Sequence, residues 1–233
     1  SPRTMNVKDT KAQELWNAQE KAQTLFDEIG SRGLIRPGAA ESILNAEIYA
    51  LAKQLFGIET YWHKRIVRSG PNTLFPYADN PPDRTITDDD IVFLDFGPVF
   101  EEWEADFGRT FVLGQDPVKH KLRDDAETAF ADGKEYFRRT PDLKASELFQ
   151  RVVDYGVERN WEFGGAMAGH LIGQFPHERI PNDKVSLYIH PENHAEIRQP
   201  GNDGLPRHWI LEIHFVDRQR KIGAFFEELL TVG

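Results

Sequence analysis

Two aspartates lie in apolar segments near the middle of the chain, where carboxylates are unusual. Asp95 belongs to the run IVFLDFG at residues 91–97, and Asp106 to the run EADFGRT at residues 104–110. Both runs are rich in β-branched and aromatic residues, a pattern typical of neighbouring antiparallel strands. Burying a carboxylate is unfavourable unless a cation or several hydrogen bonds compensate its charge. The pair therefore indicates a divalent-metal site; the alternative is that both aspartates end a hairpin and face water.

Three later residues could add to such a site. His170 follows Gly169 in a glycine-rich segment of no regular period, and Glu212 and Glu227 lie in the strand-like runs 209–216 and 223–232. Four carboxylates and one imidazole form an oxygen-rich set that suits Mn²⁺, Co²⁺, Fe²⁺ or Zn²⁺ rather than copper. Glu228 points to the opposite face of the same strand and is expected to be solvated.

The elements that must position these side chains follow the same order in each half of the chain. Apolar spacing predicts a first helix from Asp9 or Thr10 to about Gly30 and a second from Pro37-Gly38 to Gly57. Asp116-Pro117 begins a third helix as N-cap and first-turn proline, and a fourth follows Pro141. The inward positions predicted for the four helices are Leu15, Ala18, Ala22, Phe26 and Ile29; Ile43, Ala46, Leu51 and Leu55; Leu122, Ala126, Ala129 and Phe137; and Ala145, Leu148, Val152 and Tyr155.

Each half thus reads helix, helix, hairpin, with an acid on both strands of each hairpin. This repeat predicts an α+β fold of two pseudo-symmetric halves with a site at their seam. No linker separates the halves, so residues 1–233 are expected to form one domain. Residues 1–8 are expected to be a flexible extension or a cloning remnant.

Composition limits the classes of function. The chain has 233 residues, a hydrophobic content of 39% and a net charge of −10. A nucleic-acid-binding protein would need a basic face, and the absence of cysteine excludes thiolate chemistry. No apolar run approaches the roughly 20 residues of a membrane span, and no signal peptide is visible. We expect a soluble cytoplasmic protein with neither a nucleic-acid nor a membrane partner.

The motifs around these residues resemble those of the pita-bread metallopeptidases, the family of methionine aminopeptidase, aminopeptidase P, prolidase and creatinase. The spacing of Asp95 and Asp106, and the turn Gly169-His170-Leu171-Ile172-Gly173 with His177 seven residues after His170, are similar to the family's motifs. The segments 70–72 and 83–86 look most like prolidase and aminopeptidase P. The resemblance covers nearly the whole chain and implies the pita-bread fold, with its two halves around a curved antiparallel sheet.

The resemblance also implies roles. Asp106 and Glu227 would bridge two divalent metals, most plausibly Mn²⁺, while Asp95 chelates one metal and His170 with Glu212 holds the other. Two metals lower the pKa of a shared water, which attacks a peptide or amide-type C–N bond. Glu212 would relay the proton of that water, and His177 would donate to the substrate carbonyl.

Three departures from the family pattern concern the substrate rather than the metals. Pro76 stands where the family places a substrate-contacting histidine, and Phe225 stands where prolidase-type members carry an arginine. The family's Glu-Pro-Gly becomes Glu212-Ile213-His214. Strand alternation puts His214 on the face of Glu212, and it is predicted either to take over catalytic work or to be an ordinary packed residue.

The leading hypothesis is a dinuclear hydrolase similar to Xaa-Pro peptidases, with a small-molecule or short-peptide substrate and a homodimer as an option. One alternative is a creatinase-like hydrolase of a small non-peptide substrate. The other is a metal-containing binding module without catalysis. Metal content of the purified protein would separate the binding module from the hydrolases.

Overall fold

The structure, a computed structural model, describes residues 2–176 and 184–233 and, for residues 2–9, the backbone alone. Four α-helices in these residues are α1 (Pro2–Ser31), α2 (Glu41–Phe56), α3 (Pro117–Arg139) and α4 (Ala145–Val157). The strands are β1 (Ile66–Ser69), β2 (Ile91–Phe96), β3 (Val99–Phe100), β4 (Trp103–Glu104), β5 (Phe107–Val112), β6 (Glu162–Phe163), β7 (Gly169–Ile172), β8 (His208–Asp217) and β9 (Ile222–Leu229). None of the helices in the described part of the chain has the length and apolar character needed to cross a bilayer.

The main sheet runs β1-β2-β5-β9-β8-β6, with β7 also paired to β8, and every pairing is antiparallel. The two predicted hairpins are confirmed, because β2 pairs with β5 and β8 pairs with β9. The link inside the first hairpin carries a small hairpin of its own, β3 with β4. The result is the expected α+β pita-bread fold, in which the strands of both halves form one sheet.

Helix α3 follows its sequence signals closely. The Asp116 carboxylate accepts a hydrogen bond from the Val118 backbone N–H, and Pro117 occupies the first turn, so the helix begins where predicted. Helix α1 instead begins at Pro2, ahead of the predicted start, and includes residues 2–8 of the expected extension. Helix α2 begins at Glu41, later than predicted, and ends before Gly57 as predicted. Ile43 is 54% exposed, whereas Leu44 and Ile48 are buried. The predicted inward face of α2 was therefore wrong by one residue in its first two turns.

The two faces of the sheet have different surroundings. Side chains on one face pack beneath the helices in two apolar cores: Val92 and Leu94 with α1 and α2, and Leu211 and Ile213 with α3 and α4. Because side chains alternate along a strand, the neighbouring residues of each strand point away from the helices. Asp95, Glu212 and Glu227 all lie on this second face, so the functional groups occupy the side that the helices leave uncovered.

Candidate active site

Strand register aligns the acids in a row across four strands. Asp95 on β2 lies opposite Gly108 on β5, Gly108 lies opposite Glu227 on β9, and Glu227 lies opposite Glu212 on β8. Asp106 lies one residue before β5 and two before Gly108. Because the row runs from the first half into the second, the site lies at the seam that the sequence repeat predicted.

Asp106 lies at the centre of the cluster between two imidazoles. Its Oδ2 is 2.8 Å from His170 Nε2, and its Oδ1 is 3.1 Å from His63 Nε2. Glu227 Oε2 lies 3.8 Å from His170 Nε2, and Asp95 Oδ1 lies 3.5 Å from His63 Nε2. The ligand atoms thus form two groups that share Asp106: His63, Asp95 and Asp106 on one side, and Asp106, His170 and Glu227 on the other.

Several carboxylate oxygens in the cluster are buried without a hydrogen bond. Asp95 Oδ1 and both carboxylate oxygens of Glu227 have no hydrogen-bond partner in the described residues. An unsatisfied buried carboxylate oxygen is strongly unfavourable. Divalent cations satisfy such oxygens, and carboxylates combined with imidazole match the donor preferences of Mn²⁺, Fe²⁺, Co²⁺ and Zn²⁺. The residues therefore fit a pair of divalent metals.

Burial and mutual repulsion shift the pKa values of the acids in different directions. Burial raises the pKa of Asp95 to about 7, against the opposing effect of the His63 charge. Burial, with the charges of Asp106 and Asp95, raises the pKa of Glu227 well above its usual range. Burial also acts to raise the pKa of Asp106, but the His63 charge and hydrogen bonds from His170 and His63 outweigh it and hold that pKa well below its usual range.

The acids in turn shift the pKa values of the two imidazoles, His63 and His170. Burial acts to lower the pKa of both rings, yet Asp95 and Asp106 raise that of His63 to about 10, and Asp106 raises that of His170 to about 9. Protons therefore compensate the charge of the cluster in the absence of metal. If the cluster binds divalent metals, these protons must leave, and we expect metal affinity to increase with pH.

His63 is the member of the cluster that the sequence analysis missed. It precedes β1 in a loop, with no spacing to the other ligands that marks it as one. His63 is identified only from the strand register. Ile66 on β1 lies opposite Asp95 on β2, so the residues just before Ile66 run alongside the end of β2. The Trp62 N–H accordingly donates to the Gly97 carbonyl at 3.0 Å, and His63 enters the cluster from there.

A cavity adjoins the cluster on its Asp95 side. Among its lining residues are Asp95 and Glu212, together with the three positions that depart from the family pattern: Pro76, His214 and Phe225. Phe225 stacks against Phe93 with a ring-centroid distance of 5.3 Å. Much of the cavity wall beside the acids is therefore apolar and aromatic.

His214 is a buried part of this wall. Its side chain lies on the cavity face, as strand alternation predicted, and its Nε2 donates to the Thr73 carbonyl at 2.8 Å. The ring also contacts Phe93 and Phe225 edge-on. Its catalytic role stays a prediction.

Two further sequence predictions have different outcomes. His177 lies outside the described residues. Glu228 is on the face opposite Glu227, as expected, but it is half-buried rather than solvated. Its carboxylate accepts a hydrogen bond from Gln19 at 2.9 Å and lies 3.4 Å from the Arg109 guanidinium.

The open face of the sheet thus carries a buried cluster of carboxylates and imidazoles beside a cavity. The sequence profile of metallopeptidase family M24 matches residues 13–232. The chain therefore belongs to that family. No curated protein matches the chain significantly in sequence.

Solved structures share the fold at low sequence identity. A dipeptidase from Pyrococcus horikoshii superposes with a TM-score of 0.73 at 23% identity, covering 94% of this chain and 56% of that one. An X-Pro aminopeptidase from Thermotoga maritima gives 0.75 at 20% identity, covering 97% and 62%. The chain thus spans less than two thirds of these relatives. A methionine aminopeptidase from Rickettsia prowazekii gives 0.68 at 18% identity, covering 94% of this chain and 96% of that one.

Proposed function

We propose that this M24 protein is a dinuclear metal hydrolase that cleaves a peptide or amide-type C–N bond in a short substrate. The observation that carries the proposal is the convergence of Asp95, Asp106, His170 and Glu227, with Glu212 opposite Glu227, on one buried cluster beside a cavity. Mn²⁺ is the favoured metal, with Co²⁺, Fe²⁺ and Zn²⁺ as alternatives. Asp106 and Glu227 would bridge the two ions, Asp95 would hold one, and His170 with Glu212 the other.

Each protein group then has a defined task. When bound, the metal pair would lower the pKa of a shared water and stabilise negative charge on the substrate's carbonyl oxygen. Glu212 lies at the boundary of cluster and cavity, where its carboxylate can accept the water's proton and pass it to the leaving nitrogen. His177 would donate a hydrogen bond to the carbonyl oxygen. The aromatic wall would exclude bulk water from the bond that breaks.

The cavity supports a substrate that differs from a simple Xaa-Pro dipeptide. Phe225 offers apolar surface where an arginine would offer a two-pronged contact to a carboxylate, and Pro76 has neither a side-chain donor nor a backbone N–H. Ile66 and Phe93 extend the apolar wall on the β1 side. We therefore propose that the group next to the scissile bond is uncharged or aromatic.

Metal content and hydrolysis together test the proposal. The purified protein should contain two divalent ions per chain by elemental analysis and should hydrolyse members of a panel of peptides and small amides in the presence of Mn²⁺. Asp106→Asn should lose metal and activity together, because Asp106 lies between both groups of ligands. Wild-type metal stoichiometry in this variant would overturn the assignment. Two bound metals with no hydrolysis of any compound would instead favour a binding module.

Substrate preference is tested by a matched pair of compounds. Ala-Pro and its C-terminal amide differ only in the terminal charge, so the absence of an arginine at Phe225 predicts a higher kcat/KM for the amide. We also expect slow cleavage of Gly-Pro. Rapid turnover of Gly-Pro or Ala-Pro with Mn²⁺, at the rate of the amides, would show that the altered residues matter little.

The second candidate is a creatinase-like hydrolase of a small non-peptide substrate. The apolar cavity wall favours it, because that wall lacks the arginine that would recognise a peptide carboxylate. Activity on small amides without activity on any peptide would select this candidate. A homodimer and a cytoplasmic location stay predictions.

A further inference from the structure

His63 brings a second imidazole to the acid cluster, from a loop far from the other ligands in sequence. Its side chain is 7% exposed, and its Nε2 lies 3.1 Å from Asp106 Oδ1 and 3.5 Å from Asp95 Oδ1. None of the five residues predicted as ligands supplies a nitrogen on this side of Asp106. The position of the ring therefore indicates that His63 itself has a function in the cluster.

The hydrogen bond on the other side of the ring fixes its tautomer. His63 Nδ1 lies 2.6 Å from the Lys64 carbonyl oxygen, which can only accept, so Nδ1 carries the hydrogen. In the neutral ring, Nε2 then presents a lone pair to two carboxylates, so either a proton on Nε2 or a metal cation must lie between them. Metal-binding histidines characteristically donate their other N–H to a carbonyl or carboxylate in this way. His170 repeats the arrangement, with Nδ1 2.9 Å from the Leu171 carbonyl and Nε2 facing Asp106.

The distances between donor atoms are those of ligands that share one ion. Nitrogen and oxygen ligands lie about 2.1 Å from a metal of this size, so two of them at angles of 90–109° lie about 3.0–3.4 Å apart. The separation of His63 Nε2 from Asp106, 3.1 Å, lies within this range, and that from Asp95, 3.5 Å, lies just above it. A single ion can therefore contact all three side chains with little movement.

The surroundings of His63 are shaped to hold its ring in place. A Cβ atom at Gly97 would lie 2.5 Å from Trp62 Nε1, 2.6 Å from His63 Cδ2 and 2.8 Å from His63 Nε2, so glycine at this position makes room for both rings. Trp62 packs edge-on against both imidazoles, at centroid distances of 4.6 Å to His63 and 5.3 Å to His170. The ring of Tyr77 covers His63 from the cavity side at 5.5 Å. His63 is thus positioned as rigidly as a metal ligand requires.

We propose that His63 is a sixth protein ligand, which binds the metal on the Asp95 side. The proposal rests on the dinuclear centre of the proposed function, but not on which bond that centre cleaves. Each metal then has one imidazole, and the carboxylates of Asp106 and Glu227 lie between them. An added nitrogen ligand strengthens binding of Co²⁺ and Zn²⁺ more than that of Mn²⁺, so the Asp95-side site should favour the later metals.

Metal binding measured without any substrate tests the assignment. Wild type, His63→Ala, His63→Gln and the exposed-histidine control His194→Ala would be equilibrated with Zn²⁺ or Co²⁺, and bound metal would be measured by elemental analysis and calorimetric titration. Wild type and His194→Ala should bind two ions. Both His63 variants should keep one ion and bind the second at least about ten-fold more weakly. His63→Gln retains an amide that can donate to the Lys64 carbonyl, so it separates ligand loss from loss of loop structure.

Cobalt absorption and one further variant make the test specific. The visible spectrum of the Co²⁺ protein should lose the contribution of the Asp95-side ion in the His63 variants, and that of the opposite ion in His170→Ala. Gly97→Ala keeps the imidazole but displaces its ring, and it should weaken the same site as His63→Ala. Two ions bound with wild-type affinity by folded His63 variants would overturn this inference alone. A wild-type protein that binds no metal would overturn the proposed function with it.

Discussion

At the scale of single residues, His214 is the cavity residue whose part in the reaction is open to a direct test. Its Nε2 donates to the Thr73 carbonyl, so Nδ1 of the neutral ring is left as an acceptor beside Gly164, where a Cβ atom would lie only 2.6 Å from it. Burial lowers the pKa of His214 to about 4. The ring is therefore neutral in the cavity wall, and the missing Cβ of Gly164 is what allows the backbone there to pack against Nδ1.

His214→Ala tests whether that acceptor takes part in the reaction. If the imidazole exchanges a proton with the substrate, kcat should fall by a factor on the order of 10², while metal content stays at the wild-type value. The measurement is steady-state kinetics on the best substrate of the panel, with elemental analysis of the same samples. Near-normal turnover would leave His214 as a packing residue and His177 as the remaining catalytic histidine outside the metal ligands.

At the scale of elements, Gly108 determines how closely the two halves of the sheet approach. It pairs with Asp95 on one side and Glu227 on the other, and a Cβ atom there would lie 2.5 Å from the Phe225 ring and 3.2 Å from the Glu227 Cβ. A side chain at this position would push β9 away from β5. The missing Cβ leaves room for the Phe225 ring and the Glu227 side chain, two residues apart on β9, to lie against the same glycine.

Gly108→Ala should therefore lower stability by about 1–3 kcal/mol through overpacking, and it should weaken metal binding because Glu227 moves. Adding Phe225→Leu relieves the first contact, so the double variant should recover part of the lost stability, a coupling that a double-mutant cycle measures by denaturant unfolding. Strictly additive losses in the cycle would mean that Phe225 is not the residue displaced.

The sequence predicted correctly those features that depend on residues close to one another in the chain, such as helix caps and strand alternation. Asp116 and Pro117 define the start of α3 because capping is a contact within one turn, and alternation along β8 and β9 placed Glu212 and Glu227 on one face. The inward face of α2 was wrong because Ile43 and Leu44 are equally apolar, and only the position of the sheet decides between them. His63 could not be predicted, because its approach to Asp106 depends on the antiparallel register of β1 and β2.

At the scale of the whole molecule, His208 links the start of β8 to the chain end and the N-terminal helix. Its Nδ1 lies 3.1 Å from Thr231 Oγ1, and burial, with a small contribution from the charge of Lys11 on α1, lowers its pKa to about 4. The unfolded chain binds this proton with a pKa near 6.5. Stability from His208 is therefore present above pH 6.5 and is lost as the pH falls toward 4.

Replacing His208 by glutamine should remove that part of the acid sensitivity. His208→Gln keeps a hydrogen-bonding side chain near Thr231 but has no proton to bind in this range. Between pH 6.5 and 4, its Tm should fall less steeply than that of wild type, as measured by thermal unfolding in metal-free buffer. Parallel curves for the two proteins would show that His208 titrates normally in the folded state.

Metal binding should hold the two halves of the molecule together, because each half supplies ligands. Asp95 and Asp106 come from the first half, and Glu227 from the second. Between the halves, β5 and β9 pair through Gly108 and Glu227, and Thr110 Oγ1 bonds both the N–H and the carbonyl of Phe225 at 2.8 Å. The helices on either side pack into separate cores. Other contacts also cross the seam, among them the stacking of Phe93 on Phe225 and the hydrogen bond from Gln19 to Glu228, so bound metals would strengthen an interface that already exists.

Removing the metals with a chelator should therefore lower stability and loosen this seam first. An ion present at 100 times its Kd stabilises the fold by about 2.7 kcal/mol, which corresponds to roughly 5–10 °C in Tm for each site in a chain of this size. Hydrogen exchange should increase most at the backbone N–H groups of Phe225 and Glu227. Asp106→Asn serves as the control, since chelation should leave its Tm unchanged. A wild-type Tm that does not respond to chelator, in protein shown to lose its metal, would mean that the halves hold together without the ions.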